Sequence, residues 1–422
     1  MLSGLQNAFK AGDLRSKIIF TLLMFLVFRI GAHIPVPGVD PKIIADMISK
    51  GALLGFFDVI SGGAFKNFSV FAMSIVPYIN ASIIMQLLTV VVPTLEKLSK
   101  EGEEGRKKMT QYIRYGTVVL GFIQALGLSF GVLGKSGAVV NPSFGTYLLI
   151  AITLTAGTAF LMWLGEQITE KGIGNGISLI IFAGIVSSIP GGIKAVYQYI
   201  ATDPSYWWSA VLLVVIGLAV IVAVIAIQEG QRRIPVQYAK RVVGRKVYGG
   251  QSTHIPMKVN SAGVIPVIFA SSLLMFPITI AQFFPGNPVA DWVGNALQWG
   301  SFLNSVLFAL LIIGFTYFYT SITFNPNDIA DNMKKHGGFI PGLRPGRPTA
   351  EYLTKVMYRL NLSGAIFLAA IAVLPTLVLL VTKIPNIQFG GTSLLIVVGV
   401  ALETMKQIES HLLMRHYQGF MK

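Results

Sequence analysis

The chain has 422 residues, of which 53% are apolar and only 12% charged, against about 25% charged in an ordinary soluble domain. So little charge excludes a water-soluble globule and points to a membrane protein. Lys and Arg outnumber Asp and Glu by 33 to 18, a net charge of +15. With no Cys, disulfides, iron–sulfur clusters, thiolate zinc sites and cysteine nucleophiles are excluded, and His33, His254, His336, His411 and His416 are too scattered for a metal cluster.

A helix needs about 20 mostly apolar residues to cross the hydrocarbon layer. Ten stretches qualify, at residues 18–34, 74–92, 112–133, 147–166, 174–190, 208–228, 261–284, 303–324, 360–381 and 391–409. The first is expected to stay as a span. Arg29 and the Pro35-Val36-Pro37-Gly38 turn follow its apolar run where a removable signal would carry a small-residue cleavage site. Arg29 is the only charge well inside an apolar run, and is expected to snorkel or to find a partner near the outer end of its helix.

Between the first two spans, Ser61-Gly62-Gly63-Ala64-Phe65-Lys66-Asn67-Phe68-Ser69 is amphipathic and too short to cross. Its glycine pair weakens helix. The segment reads either as a re-entrant piece filling a vestibule, tolerated at membrane depth only against protein or water, or as an interfacial loop helix.

In the third span, Gly127-Leu128-Ser129-Phe130-Gly131 matches a nucleophile-elbow pattern, but that motif needs a strand-to-helix turn and a histidine partner. Gly134-Lys135-Ser136 lacks the earlier glycine of a phosphate loop, since Ser129 stands there. Two loops are longer than topology requires. Residues 229–260 carry Arg232, Arg233, Lys240, Arg241, Arg245 and Lys246 around a Gly244 turn, and extended pairs joined by that turn predict a projecting hairpin. Residues 325–359 carry Lys334, Lys335, Arg344 and Arg347 beside Gly337-Gly338 and Pro341, Pro345 and Pro348, which predicts an irregular tip. Long ordered loops usually bind something, so both are read as docking surfaces over mere anchoring.

An even number of crossings returns both termini to one side. Lys42, Lys50, Lys66, Lys135, Lys194 and Lys383 fall on the opposite side, and all other Lys and Arg except Arg29 fall with the termini. Short Lys/Arg-rich loops stay cytoplasmic, so both termini are predicted inside.

The sequence also repeats itself. Ile75-Val76-Pro77-Tyr78-Ile79-Asn80-Ala81-Ser82 reads like Val264-Ile265-Pro266-Val267-Ile268-Phe269-Ala270-Ser271, and Gly176-Ile177-Ser178-Leu179-Ile180-Ile181 like Gly391-Thr392-Ser393-Leu394-Leu395-Ile396. These matches pair span two with seven and five with ten. A five-plus-five duplication follows, with inverted halves and a working site near mid-membrane between them. No span holds Asp or Glu near its centre, since Glu166, Glu229, Glu403 and Glu409 sit at cytoplasmic ends. An ion-coupled transporter ordinarily keeps such a group despite an insertion penalty of about 2.5–3.5 kcal/mol. The matched interior positions are instead Ile79, Ile181, Ile268 and Ile396, with Ile83 and Ile185 one turn on. Branched aliphatic rings gate pores by excluding water, although the same residues also suit ordinary helix packing.

Together Ser61 to Leu88 (SGGAFKNFSVFAMSIVPYINASIIMQLL), Gly172 to Gly184 (GIGNGISLIIFAG), Ala239 to Val259 (with QSTHIPMKV) and Phe339 to Thr349 (FIPGLRPGRPT) resemble the SecY family of bacterial protein-translocase channels, in order and over essentially the whole chain. The resemblance implies an all-α polytopic fold. Ten transmembrane helices would form two inverted five-helix halves, residues 1–200 and 201–422, around a central hourglass pore. It places a pore ring on Ile79, Ile83, Ile181, Ile185, Ile268 and Ile396, and a short plug helix on residues 60–71, with Ser61, Gly62, Gly63, Phe65 and Phe68. It places polar lateral-gate positions on Asn80, Gln124 and Ser272, between spans two and seven. Loops 229–260 and 325–359 would receive the ribosome and the motor ATPase SecA, through Arg245, Lys246 and Arg344. Implied partners are a single-span clamp, SecE, and commonly SecG, with signal peptides and precursor polypeptides as cargo and lipids at the gate. No nucleic acid contact beyond ribosomal RNA, no cofactor, no metal and no catalysis are implied, and the setting is the bacterial plasma membrane. A secondary transporter would need a buried ion-binding carboxylate, and an intramembrane protease would need Ser129.

Overall fold

The computed structural model describes residues 12–50, 58, 61–203, 207–238, 241–243, 246–248, 252–283, 287–298, 301–382 and 391–419. Lys240, Gly244, Arg245 and Lys383 of the expectations above lie outside them, as does residue 60 of the plug. The elements in the amino-terminal part are α1 (Gly12–Gly31), α2 (Pro41–Lys50), α3 (Val76–Val91), α4 (Pro93–Lys100), α5 (Glu103–Gly127), α6 (Phe144–Lys171) and α7 (Gly176–Thr202). Then follow α8 (Trp207–Glu229), the strands β1 (Gln231–Tyr238), β2 (Arg241–Val243), β3 (Lys246–Tyr248) and β4 (Ser252–Lys258), α9 (Ile265–Phe283) and α10 (Pro288–Ala296). The chain ends with α11 (Phe302–Thr323), α12 (Pro326–Lys335), β5 (Gly338–Phe339), α13 (Arg347–Thr382) and α14 (Gly391–Gly419).

Each of the ten apolar stretches lies on one of these helices. Seven helices among the described residues are by themselves long and apolar enough to cross a membrane. An eighth results if α3 and α4, bent by 103°, are counted as one span. The bend falls at Val92, whose extended backbone (φ −101°, ψ 110°) separates the two helices just before Pro93. The other two expected crossings are less clear by composition. Helix α1 carries Asp13, Arg15, Lys17 and Arg29, and the apolar part of α9, Ile265–Ile278, is short.

Side-chain caps set several helix starts. The Asn175 side chain accepts from the Ile177 and Ser178 amides at 3.1 and 3.3 Å to open α7. Ser301 does the same for α11 through the Asn304 amide at 3.1 Å, and Asn325 for α12 through Asn327 at 3.1 Å, each satisfying an orphan N–H of the first turn. The duplicated motifs start helices alike: α3 opens Val76-Pro77 and α9 opens Ile265-Pro266. Proline suits the first turn because its missing N–H has no intrahelical partner there. Beyond Gly127 the helical path of α5 continues as a π-helix, Leu128–Leu133. Here Ser129 is fully buried and its hydroxyl donates to the Ala125 carbonyl at 2.7 Å. Ser129 therefore sits on a continuous helical path, which removes the nucleophile-elbow geometry.

The largest apolar cluster joins α1, α3, α6 and α7 to α8, α9, α11, α13 and α14. In contrast α8 buries only Val220 and Val224 among its described residues, leaving a helix that is apolar all round to face lipid. On the basic side, β1 pairs antiparallel with β4 and with β5, in the order β4-β1-β5. Strands β2 and β3 pair as the expected hairpin, Val243 opposite Lys246.

Candidate pore seal and cytoplasmic platform

Ile79, Ile83, Ile181, Ile185 and Ile396 are buried at 2–6% exposure, and all belong to the one large apolar cluster. Ile268 packs against that cluster and is half-buried. The six come from α3, α7, α9 and α14, so four separate helices contribute to one apolar region. Of the polar gate positions, Asn80 and Ser272 are buried and Gln124 is half-buried. They lie on α3, α9 and α5, three helices that pack against one another.

The segment expected to form a short plug helix is a run of turns over residues 62–68. The reason is local. Gly62, Gly63 and Phe68 all have positive φ (69°, 83° and 40°), which a right-handed helix does not accommodate. The turns are held by their own hydrogen bonds. The carbonyl of Asp58 accepts from the Gly63 amide at 2.8 Å, and its carboxylate accepts from the Lys66 amide at 2.7 Å. Burial pushes the Asp58 carboxyl above its ordinary range, against the opposing pull of the Lys66 amide and charge. The Ser61 hydroxyl donates to the Asp58 carbonyl at 3.1 Å and accepts from the Phe65 amide at 3.1 Å.

This turn segment is wedged between two apolar groups. Phe65 and Phe68 pack into a cluster with Val36, Val39 and Leu133. Ala64 and Phe71 join the large cluster that contains the isoleucines. Phe71 stacks between Phe28 of α1 and Phe160 of α6, with ring centroids 6.2 and 5.9 Å away. The far end is stitched to the stretch after α1. Val36 N–H donates to the Phe68 carbonyl, and Val70 N–H to the Ile34 carbonyl, both at 2.9 Å, around a Pro35–Ser69 bridge. Arg29, whose partner the sequence left open, donates from Nη1 to the Gly62 carbonyl and to Ser187 Oγ at 3.2 Å.

The two basic loops converge on one body. Ile234, Val236 and Met257 of the sheet, Met333 of α12, Ile340, and Leu353, Val356 and Met357 of α13 form a separate apolar core. The irregular tip expected of the second loop follows two regular elements. Pro326–Lys335 is helical and Gly338–Phe339 adds a strand beside β1. At that tip Arg344 is exposed, in a turn bounded by Gly342 and Gly346 (φ 85° and 100°). Its carbonyl accepts from the Thr349 hydroxyl at 2.9 Å, fixing the turn against the start of α13. Lys246 opens β3.

Two features were not legible in the sequence. A polar-walled recess of about 360 Å³ opens beside the large cluster, lined by Asn175, Ser178, Gln228, Asn260, Tyr319 and Glu403 among others. At its edge Lys406 pairs with Glu229 at 2.8 Å. Glu166, counted above as a cytoplasmic-end carboxylate, pairs with Arg114 of α5 at 2.8 Å.

Taken together, the long apolar helices and the buried waist define an all-helical, multi-pass membrane protein. The backbone is similar to two solved channels. One is described as showing that the plug domain of the SecY protein stabilises the closed state of the translocation channel and maintains a membrane seal, with TM-score 0.66, 19% identity and coverage of 94% of this chain and 92% of that one. The other is Sec61 in the canine ribosome–channel complex from the endoplasmic reticulum, with TM-score 0.60, 16% identity and the same coverage. The SecY family model matches residues 69–405. The protein translocase subunit SecY of Halalkalibacterium halodurans is 54% identical over 100% of both chains. The chain belongs to the SecY family, a family of channels rather than of catalysts.

Proposed function

We infer that this chain is the channel of a protein translocase, passing unfolded polypeptides across the bacterial plasma membrane and releasing apolar segments sideways into the lipid. The observation that carries the reading is the waist itself: a turn segment wedged beside an apolar cluster that holds five of the six isoleucines and packs against the sixth, Ile268. In this reading the chain crosses the membrane ten times, with both termini in the cytoplasm and residues 1–200 and 201–422 as inverted halves.

Ile79, Ile83, Ile181, Ile185, Ile268 and Ile396 form the ring, and residues 61–71 form the plug that rests against it. A segment pushed from the cytoplasm displaces the plug and threads the ring, which yields because aliphatic side chains fit no particular guest. Asn80, Gln124 and Ser272 mark the lateral gate between α3 and α9. There a sufficiently apolar segment partitions outward, gaining about 0.8 kcal/mol for each CH₂ transferred, while a charge is opposed by several kcal/mol.

The platform receives the force. Arg344, Arg245 and Lys246 dock a motor ATPase of the SecA kind or the ribosome, and the separate apolar core, which holds Ile340 and packs against Leu343, supports the turn that carries Arg344. SecE, and commonly SecG, complete the complex. The test is a photo-crosslinker at Ile268, the most exposed of the six, during export of a stalled precursor. A crosslink to the precursor is expected; no crosslink with the precursor demonstrably engaged removes the ring assignment.

A further inference from the structure

Arg29 occupies the last turn of α1 and is half-buried. A charge at membrane depth is expensive unless it is paired, yet no carboxylate lies within ion-pairing distance among the described residues. Its guanidinium instead donates from Nη1 to a main-chain oxygen, that of Gly62. The same nitrogen donates to Ser187 Oγ at 3.2 Å. The Ser187 hydroxyl directs its one proton best to the Gly184 carbonyl at 2.7 Å, since Gly62 O is more distant at 3.4 Å. Three parts of the molecule therefore meet at Arg29 Nη1: the end of α1, the turn segment and α7.

The backbone approach is close. A Cβ at Gly62 would lie 2.9 Å from Gly184 Cα and 2.8 Å from Ser187 Oγ, and φ there is +69°. A side chain at Gly62 would not fit at this approach.

We propose that Arg29 is a positioning residue for the plug, a latch that holds residues 61–69 seated through the Gly62 carbonyl and Ser187. This rests on the reading of that segment as a plug. A neutral carbonyl suits a latch that must release. A carboxylate partner would keep two opposite charges together at low dielectric and resist separation, whereas a charge-assisted bond to an amide oxygen is strong at rest and exchangeable for water once the plug moves.

The test uses the complete channel complex in proteoliposomes. Arg29→Met keeps the apolar length and removes the donors, Arg29→Lys keeps the charge and an ammonium donor group, and Ser187→Ala removes only the second contact. Deletion of residues 62–68 reports the plug itself. Resting ion conductance is expected to rise about tenfold in Arg29→Met, equivalent to roughly 1.4 kcal/mol of lost closed-state preference. Arg29→Lys is expected to recover most of the seal, and Ser187→Ala to leak about threefold, as for loss of a single weaker bond. Export of a precursor with a shortened signal segment should increase in Arg29→Met, because less binding energy is needed to unseat the plug; general structural damage would lower it. If the deletion leaks while Arg29→Met and Ser187→Ala stay as tight as the parent, the latch is wrong and the plug stands. If the deletion does not leak, the plug reading fails and the latch fails with it.

Discussion

Where the waist buries Ile79, Ile83, Ile181, Ile185 and Ile396 inside a cluster shared by many helices, the platform holds Arg344 in water on a turn outside the membrane helices, above a core of its own. In the waist, the half-buried Arg29 guanidinium is directed at a backbone oxygen; on the platform, the Arg344 side chain is exposed. Under the proposed function, the difference separates two tasks. Sealing depends on excluded water and packed main chain, docking on accessible charge over a packed base, so each is open to damage without the other.

The largest expected effect comes from replacing Ile79, Ile181 and Ile396 together by Gly. Each buried truncation removes at least the roughly 2–5 kcal/mol of an Ile→Ala change, so both the thermal midpoint and the seal should fall, read by melting and by conductance without precursor. A seal as tight as the parent's would detach these residues from gating. Next is Leu353→Ala on the platform, where the side chain is 0% exposed. A cost of about 2–5 kcal/mol should weaken motor and ribosome binding while resting conductance stays unchanged; a leak instead would join the two regions mechanically.

Gly62→Ala adds a Cβ 2.9 Å from Gly184 Cα at a residue with φ +69°. It should cost about 1–3 kcal/mol of local strain, appearing as a resting leak with normal docking. The smallest effect on stability is expected from Arg344→Glu, which should stay within about 0.5 kcal/mol at an exposed position yet reduce motor-driven translocation severely. Unchanged translocation would remove Arg344 from the docking surface.

Sequence reasoning worked best where periodicity and composition dominate. The apolar stretches all fall on helices, and the pairing of Arg241–Val243 with Lys246–Tyr248 was legible from alternating residues around Gly244. It worked less well where geometry is set by single backbone angles. The turns at 62–68 replace a short helix because adjacent glycines take positive φ, which a glycine permits but does not require. Strand β5 is only two residues long, too short for any periodic signal. The partner of Arg29 is a main-chain oxygen 33 residues away, and every residue carries one, so no side-chain pattern could have named it. The π-helical run Leu128–Leu133 is as apolar as the last turns of the α-helix it extends.

In the proposed reading, the Pro35–Ser69 bridge gives the plug a hinge. In that reading residues 61–67 swing away while Phe68 and Ser69 stay stitched to the stretch after α1, and the covalent path into α3 remains short. Reseating is then a first-order event, at an effective concentration on the order of millimolar for a short tether. On the proposed function, each departing substrate then leaves behind a lid that is already in place to fall shut.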